Sequence, residues 1–263
     1  MEKRRILPIQ SGLNFRELGG YPTFDGRTIK WQKLLRSGYL SVLTKADQGY
    51  LVNYGLRYDV DLRSDYEINR NPDPLMPPVQ RIRASVYPFS QHQGLGVFSW
   101  LKRLVHKSAP APSVLSDPYE LMVLDEHAQG AFKKLFQVLL KNDQPNQSVL
   151  FHCAAGKDRT GTAAFLVLSA LGVSQETIEE DYLLSNQVLF GTQAPIATPS
   201  TNNAALDRMN EARNVSLRSL RLAKQAIETS YGSMTAYFHQ AMNLSDQDIG
   251  TLKQLYTEKS AKK

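Results

Sequence analysis

The sequence predicts an α/β protein: a central sheet flanked by helices, with a helical C-terminal third. Three observations carry this. Strand-like runs cluster before residue 90, helical periodicities dominate after residue 128, and a strand–loop–helix unit lies between them at 149–171. Residues 21–29 contain Asp25-Gly26, a hairpin-turn pair, and 31–36 follow as a short strand. Thr44 is placed to cap a helix over 45–54 that Gly55 stops. Residues 56–62 and 82–89 have the composition of strands entering a core. Over 128–141 the apolar residues Phe132, Leu135, Phe136, Leu139 and Leu140 share one helical face. Residues 149–151 predict a strand and 160–171 a helix ended by Gly172. Ser174 caps a further helix to about residue 189, and 217–227 and 234–242 are also helical. Ser245 and Asp248 have the spacing of a capping box for the last helix, and Lys259, Lys262 and Lys263 predict a frayed tail. With no repeat and no linker, one domain over 1–263 is expected.

Of the 263 residues, 42% are hydrophobic, ample for a core. A net charge of +6 suits anionic partners without pointing to nucleic acid. One Cys excludes an internal disulfide and Cys-rich zinc sites, and a reactive thiol is safest in a reducing compartment. The charged N-terminus is followed only by the short apolar run 6–9, too short for a signal-peptide core. No stretch approaches the roughly 20 apolar residues of a membrane span. A cytoplasmic location is the expectation.

The chemistry concentrates at His152-Cys153-Ala154-Ala155-Gly156-Lys157-Asp158-Arg159-Thr160-Gly161, where five residues separate Cys153 from Arg159. A strand, a Gly-containing loop and a helix start form an anion cradle of inward N–H groups at the positive end of a helix. The amides from Ala154 to Arg159 suit phosphoryl oxygens, Gly156 permits the turn, and Arg159 offers a planar two-point fork that Lys lacks. Helix N-termini and nearby cations lower a thiol from about 8.5 to roughly 3.5–7.5, so a thiolate nucleophile is expected at Cys153. Thr160 is placed to donate to the sulfur as it leaves. His152 is expected to orient the loop. Lys157 would add charge to the pocket floor. The chemistry needs no metal and no cofactor.

At these residues the chain resembles the cysteine-dependent protein phosphatases. Lys157 and Asp158 make it similar to a bacterial branch, the atypical tyrosine and dual-specificity phosphatases, some of which act on phosphoinositides. Asn14-Phe15-Arg16-Glu17-Leu18-Gly19-Gly20-Tyr21, Asp25-Gly26-Arg27, Leu35-Arg36-Ser37-Gly38 and Asp61-Leu62-Arg63-Ser64 with Glu67 resemble that branch's signatures. Asp181-Tyr182-Leu183-Leu184-Ser185-Asn186 and Tyr231-Gly232-Ser233 extend the likeness, so that it covers about 12–257. The resemblance implies a protein-tyrosine-phosphatase-like sheet and a phosphocysteine intermediate. It implies phosphorylated proteins or phosphoinositides as partners, with inorganic phosphate as product.

Protonation of a tyrosine leaving oxygen calls for an acid. Asp158 lies in the loop, where a neighbouring phosphate would raise its proton affinity. Asp61 ends a strand two residues before Arg63, and the alternative reading is a buried salt bridge. Asp125 lies 28 residues before Cys153 and otherwise reads as an ordinary acid before a helix. The absence of any protein acid is a fourth reading. Residues 97, 101, 104 and 105 share an apolar helical face among basic residues, between Gly94 and Gly96 and Pro110 and Pro112. Segment 91–117 therefore reads as a hinged lid, a transient membrane-surface contact, or a helix docked on the core.

Overall fold

The computed structural model describes residues 3–89, 117–190 and 214–260. Its strands are β1 (Arg16–Glu17), β2 (Arg27–Ile29), β3 (Leu34–Ser37), β4 (Leu56–Asp61), β5 (Gln80–Arg83), β6 (Ser148–His152) and β7 (Thr257–Lys259). Five of them form a mixed sheet in the order β1-β3-β6-β4-β5, and β2 pairs with β7 apart from it. The β1–β3 pair is antiparallel, while β3, β6, β4 and β5 run parallel. The described helices are α1 (Lys45–Tyr54), α2 (Asp65–Arg70), α3 (Pro118–Leu124), α4 (Glu126–Lys141) and α5 (Asp158–Leu171). They continue with α6 (Gln175–Phe190), α7 (Leu217–Tyr231), α8 (Met234–Gln240) and α9 (Asp246–Tyr256). The predicted α/β class is the observed one.

The sheet is covered on both faces. Val149 and Phe151 of β6 join a core with Phe132, Leu135, Phe165 and Leu166, whereas Leu150 joins Leu35, Leu51 and Tyr54 on the opposite face. Period-two alternation in a strand buried on both sides explains why β6 is apolar at 149–151. Burying each such side chain contributes roughly 1.5–3 kcal/mol, so the strand that carries the loop is also the seam of both cores. The register aligns Ser37 of β3 and Asp61 of β4 with His152 of β6, and the three strands end together. Loops from β3, β4 and β6 therefore meet at one edge, the place where parallel sheets put their ligand sites.

Thr44, Ser64 and Ser245 each form a capping box, and Gly55 and Gly172 end their helices as expected. Three expectations are corrected. The strand predicted over 31–36 begins at Leu34, because Gln32 takes a left-handed φ of 62° and turns the chain. The strand predicted over 82–89 is β5, which ends at Arg83; Ala84 and Val86 N–H still donate to Asp61 O and Leu62 O at 2.8 and 3.2 Å, but Tyr87 and Phe89 enter the core beyond them, and Pro88 has no N–H to give. Lys259 is not frayed but pairs with Arg27 in β7. Lys262 and Lys263 lie outside the described residues, as does segment 91–117 except Asp117, the cap of α3. Among the described residues no helix is long and apolar enough to cross a membrane.

Candidate active site

The loop leaving β6 is held from behind by its carbonyls. Tyr39 N–H donates to Ala154 O at 3.0 Å, Asn14 Nδ2 to Gly156 O at 2.8 Å and to Ala155 O at 3.4 Å, and an Arg36 nitrogen to Gly156 O at 2.9 Å. Among the described residues, no hydrogen bond uses the N–H of Ala154, Ala155 or Gly156. Carbonyls turned outward and amides left over are what an anion cradle requires. Gly156 sits at φ 69°, and a Cβ there would lie 2.4 Å from Ser37 C, so no other residue fits.

Behind the loop lies a buried ionic frame. Asp181 accepts from Arg16 Nε at 3.0 Å, from Arg36 at 2.6 Å and from the Tyr21 hydroxyl at 3.0 Å. Arg16 also bonds Asn14 and reaches Ser185 Oγ at 3.0 Å. Burial works against the Asp181 charge, but Arg16 and Arg36 outweigh it and hold the carboxyl at about 2. Three sequence-distant segments thus converge on the carbonyl side of one loop.

Cys153 is buried at the loop's start, and Arg159 is 1% exposed in the first turn of α5. The Arg159 guanidinium makes a two-point pair with Glu67 at 2.6 and 2.7 Å, and it lies 4.6 Å from the centroid of the Tyr87 ring. Its Nε has no partner among the described residues. Glu67 is fixed in turn by the α2 capping box, accepting from Ser64 N at 2.8 Å and from Ser64 Oγ at 2.8 Å. Removing one member of a buried pair strands the other charge. Glu67→Gln is expected to lower stability by roughly 3 kcal/mol, read as a shifted denaturant midpoint at unchanged slope.

Asp158 begins α5 and is buried. The Tyr119 hydroxyl donates to its Oδ1 at 2.5 Å, and Lys157 Nζ lies 3.8 Å from its Oδ2. Burial pushes its carboxyl above the usual range, against the pull of Lys157, of the Tyr119 hydrogen bond and of Arg159. Burial thus makes this carboxyl easier to protonate than an exposed one.

A family model described as the tyrosine phosphatase family matches residues 7–258. The chain belongs to that family. A protein of Cupriavidus necator, named provisionally as a tyrosine-protein phosphatase, is 30% identical, with 97% of this chain and 90% of that one covered. The tyrosine-protein phosphatase of Nostoc commune is 28% identical, over 88% of this chain and 76% of its own. The triple specificity protein phosphatase of Mycobacterium tuberculosis is 28% identical, over 87% and 91% respectively. As a member of the tyrosine phosphatase family the chain is a phosphatase.

Within that family reading, the loop residues Cys153, Ala154, Ala155, Gly156, Lys157, Asp158 and Arg159 come together, while Asp61 and Asp125 have the salt-bridge and helix-cap partners of their alternative readings. Asp61 is 0% exposed and pairs with Arg63 at 2.9 and 2.7 Å. Burial would raise its carboxyl, but His152 and Arg63 outweigh that and hold it at about 2, which suits an anchor and not a proton donor. Asp125 caps α4, accepting from His127 N at 3.0 Å and Ala128 N at 3.3 Å. The Thr160 hydroxyl donates to Ser37 O at 3.5 Å, tying α5 to β3. Sequence reasoning named Glu67 and Tyr182 only as members of signatures, with no role, and did not name Tyr119. Glu67 was visible as the third residue after Ser64, a capping-box spacing; the two tyrosines carry no local pattern.

His152 Nδ1 lies 3.4 Å from Cys153 O at the loop's start, while its Nε2 faces a cluster with Asp59 at 3.0 Å, Asp73 at 3.5 Å and Asp61 at 3.8 Å. Asp59, Asp73 and His152 bring three ligand-type atoms within 4.8 Å of one another. Arg63 and Arg81 already contact these carboxylates, so a protonated His152 balances the three acids without a metal ion. Burial disfavours its charge, but Asp61, Asp59 and Asp73 push its pKa up from 6.5 to about 9. A folded pKa above the unfolded one means that this stabilisation is complete below pH 6.5 and is lost as pH rises through about 9. Lys33, lowered to about 8 chiefly by burial, titrates in the opposite sense. The stability gap between wild type and His152→Gln is therefore the quantity to follow by urea unfolding. It should shrink by a few kcal/mol, as an order of magnitude, between pH 6 and pH 10.

Proposed function

We propose that residues 1–263 form one catalytic unit, a cysteine-dependent phosphomonoesterase acting on phosphotyrosine in proteins through a phosphocysteine. One observation carries this reading. Around buried Cys153, the loop amides of Ala154–Gly156 and the Nε of Arg159 have no partners among the described residues, while the loop carbonyls are tied from behind. Such a set of preplaced donors binds the equatorial oxygens of a phosphoryl group and holds them more tightly as charge spreads in the transition state. In the first step Sγ attacks phosphorus, the bond from phosphorus to the ester oxygen breaks, and Asp158 gives that oxygen its proton. Water then attacks phosphorus, the phosphorus–sulfur bond breaks, and the thiolate and inorganic phosphate are released. Lys157, buried against Asp158, adds positive charge to the pocket floor.

The test is release of inorganic phosphate from a phosphotyrosine peptide, a phosphoserine peptide and phosphoinositide vesicles. The reading expects the phosphotyrosine peptide, the one aryl ester of the three, to turn over fastest. Faster turnover of phosphoinositide would move the substrate class to lipids. Tight phosphopeptide binding without phosphate release would make the loop a binding module and overturn the reading.

A further inference from the structure

The general acid has a second layer, built by two tyrosines from different helices. Tyr119 of α3 donates to Asp158 Oδ1 at 2.5 Å, and its oxygen lies 2.6 Å from the Tyr182 hydroxyl of α6. All three residues are buried: Asp158 is 5% exposed, Tyr119 4% and Tyr182 1%. With the Tyr119 proton used on the carboxylate, Tyr182 is the donor of the second bond. The arrangement depends on Gly161, where a Cβ would lie 2.6 Å from the Tyr182 ring; only a glycine one turn into α5 lets the ring lie there. Tyr182 neighbours Asp181, so consecutive residues of α6 serve the loop carbonyls and the acid respectively.

We propose that Tyr119, held by Tyr182, is the positioning residue that fixes Asp158, occupying Oδ1 and reserving Oδ2 for proton transfer. This rests on the proposed role of Asp158 as the acid. Two steps make opposite demands on that carboxyl. It must be protonated when the ester oxygen leaves, and ionised when it takes a proton from the attacking water and the thiolate departs. A hydroxyl donor on Oδ1 favours the ionised form, whereas burial favours the neutral one. The other charged or titratable groups facing Asp158 are Lys157, Arg159 and Tyr87. Lys157 and Arg159 pull in the same direction as Tyr119, and none of the three is removed by the substitution tested.

The experiment is the pH profile of kcat on the phosphotyrosine peptide for wild type, Tyr119→Phe, Tyr182→Phe and Asp158→Asn. Loss of one hydrogen bond to the carboxylate should move the basic limb of Tyr119→Phe upward by about one pH unit. The KM should stay within about twofold, because the substrate contacts are untouched. Tyr182→Phe should shift the limb the same way but by less, since it acts through Tyr119, and it serves as the second variant if Tyr119→Phe does not fold. A limb unmoved in both folded variants, while Asp158→Asn loses it, overturns the role of Tyr119 and leaves the acid in place. A limb that survives Asp158→Asn shows that another group is the acid, and overturns both.

Discussion

Cys153→Ser loses phosphate release by roughly 10⁴-fold or more on every substrate, the largest effect expected of any single change. The substitution keeps the size of the side chain and places a hydroxyl where the thiol stood, at a position 2% exposed at the end of β6. A hydroxyl stays protonated where a thiol ionises, so the attacking group is lost while the fold is kept. The loop is held through its carbonyls by Asn14, Arg36 and Tyr39, none of which touches the sulfur in doing so. Stability should therefore change little and phosphopeptide affinity should survive. Steady-state kinetics together with calorimetric titration of a phosphotyrosine peptide check both halves.

Arg159→Lys is expected to lower kcat by roughly 10²–10³-fold, although the charge is conserved. Three features of the guanidinium are lost together. The fork on Glu67 at 2.6 and 2.7 Å needs two nitrogens in one plane. The stack on Tyr87, 4.6 Å from the ring centroid, needs a flat cation. The Nε, without a partner among the described residues, has no equivalent on an ammonium. If the interaction strengthens only as charge spreads to the equatorial oxygens, kcat falls and KM moves little. An unchanged kcat with a raised KM would mean that Arg159 binds substrate and transition state alike.

Legibility followed locality. The loop was readable because strand, nucleophile, glycine, arginine and helix start are contiguous, and each residue type has one physical reason to be there. The same holds for Thr44, Gly55, Ser245 and Gly172, whose capping roles depend on three or four neighbours. The segment 82–89 misled because a run of core-bound residues has the same composition whether it lies in a ladder or folds past its edge. Asp61 was left between acid and anchor because a deciding partner, His152, is ninety-one positions away in sequence but opposite it in register, 3.8 Å away. The Tyr119–Tyr182–Asp158 chain joins three helices and leaves no periodic trace. The signatures at 14–21, 35–38 and 181–186 are now explained as one buried frame, since Asn14, Arg16, Arg36 and Asp181 all converge on the carbonyl side of the loop.

The central claim is a covalent bond between Cys153 and phosphorus. Rapid acid quench of wild type turning over a radiolabelled phosphotyrosine peptide, followed by proteolysis and mass spectrometry, tests it most directly. The account predicts label on the peptide that contains Cys153, stable to acid, rising within the first turnover and absent from Cys153→Ser. Steady phosphate release with no protein-bound label at any quench time, and with activity retained in Cys153→Ser, would contradict it.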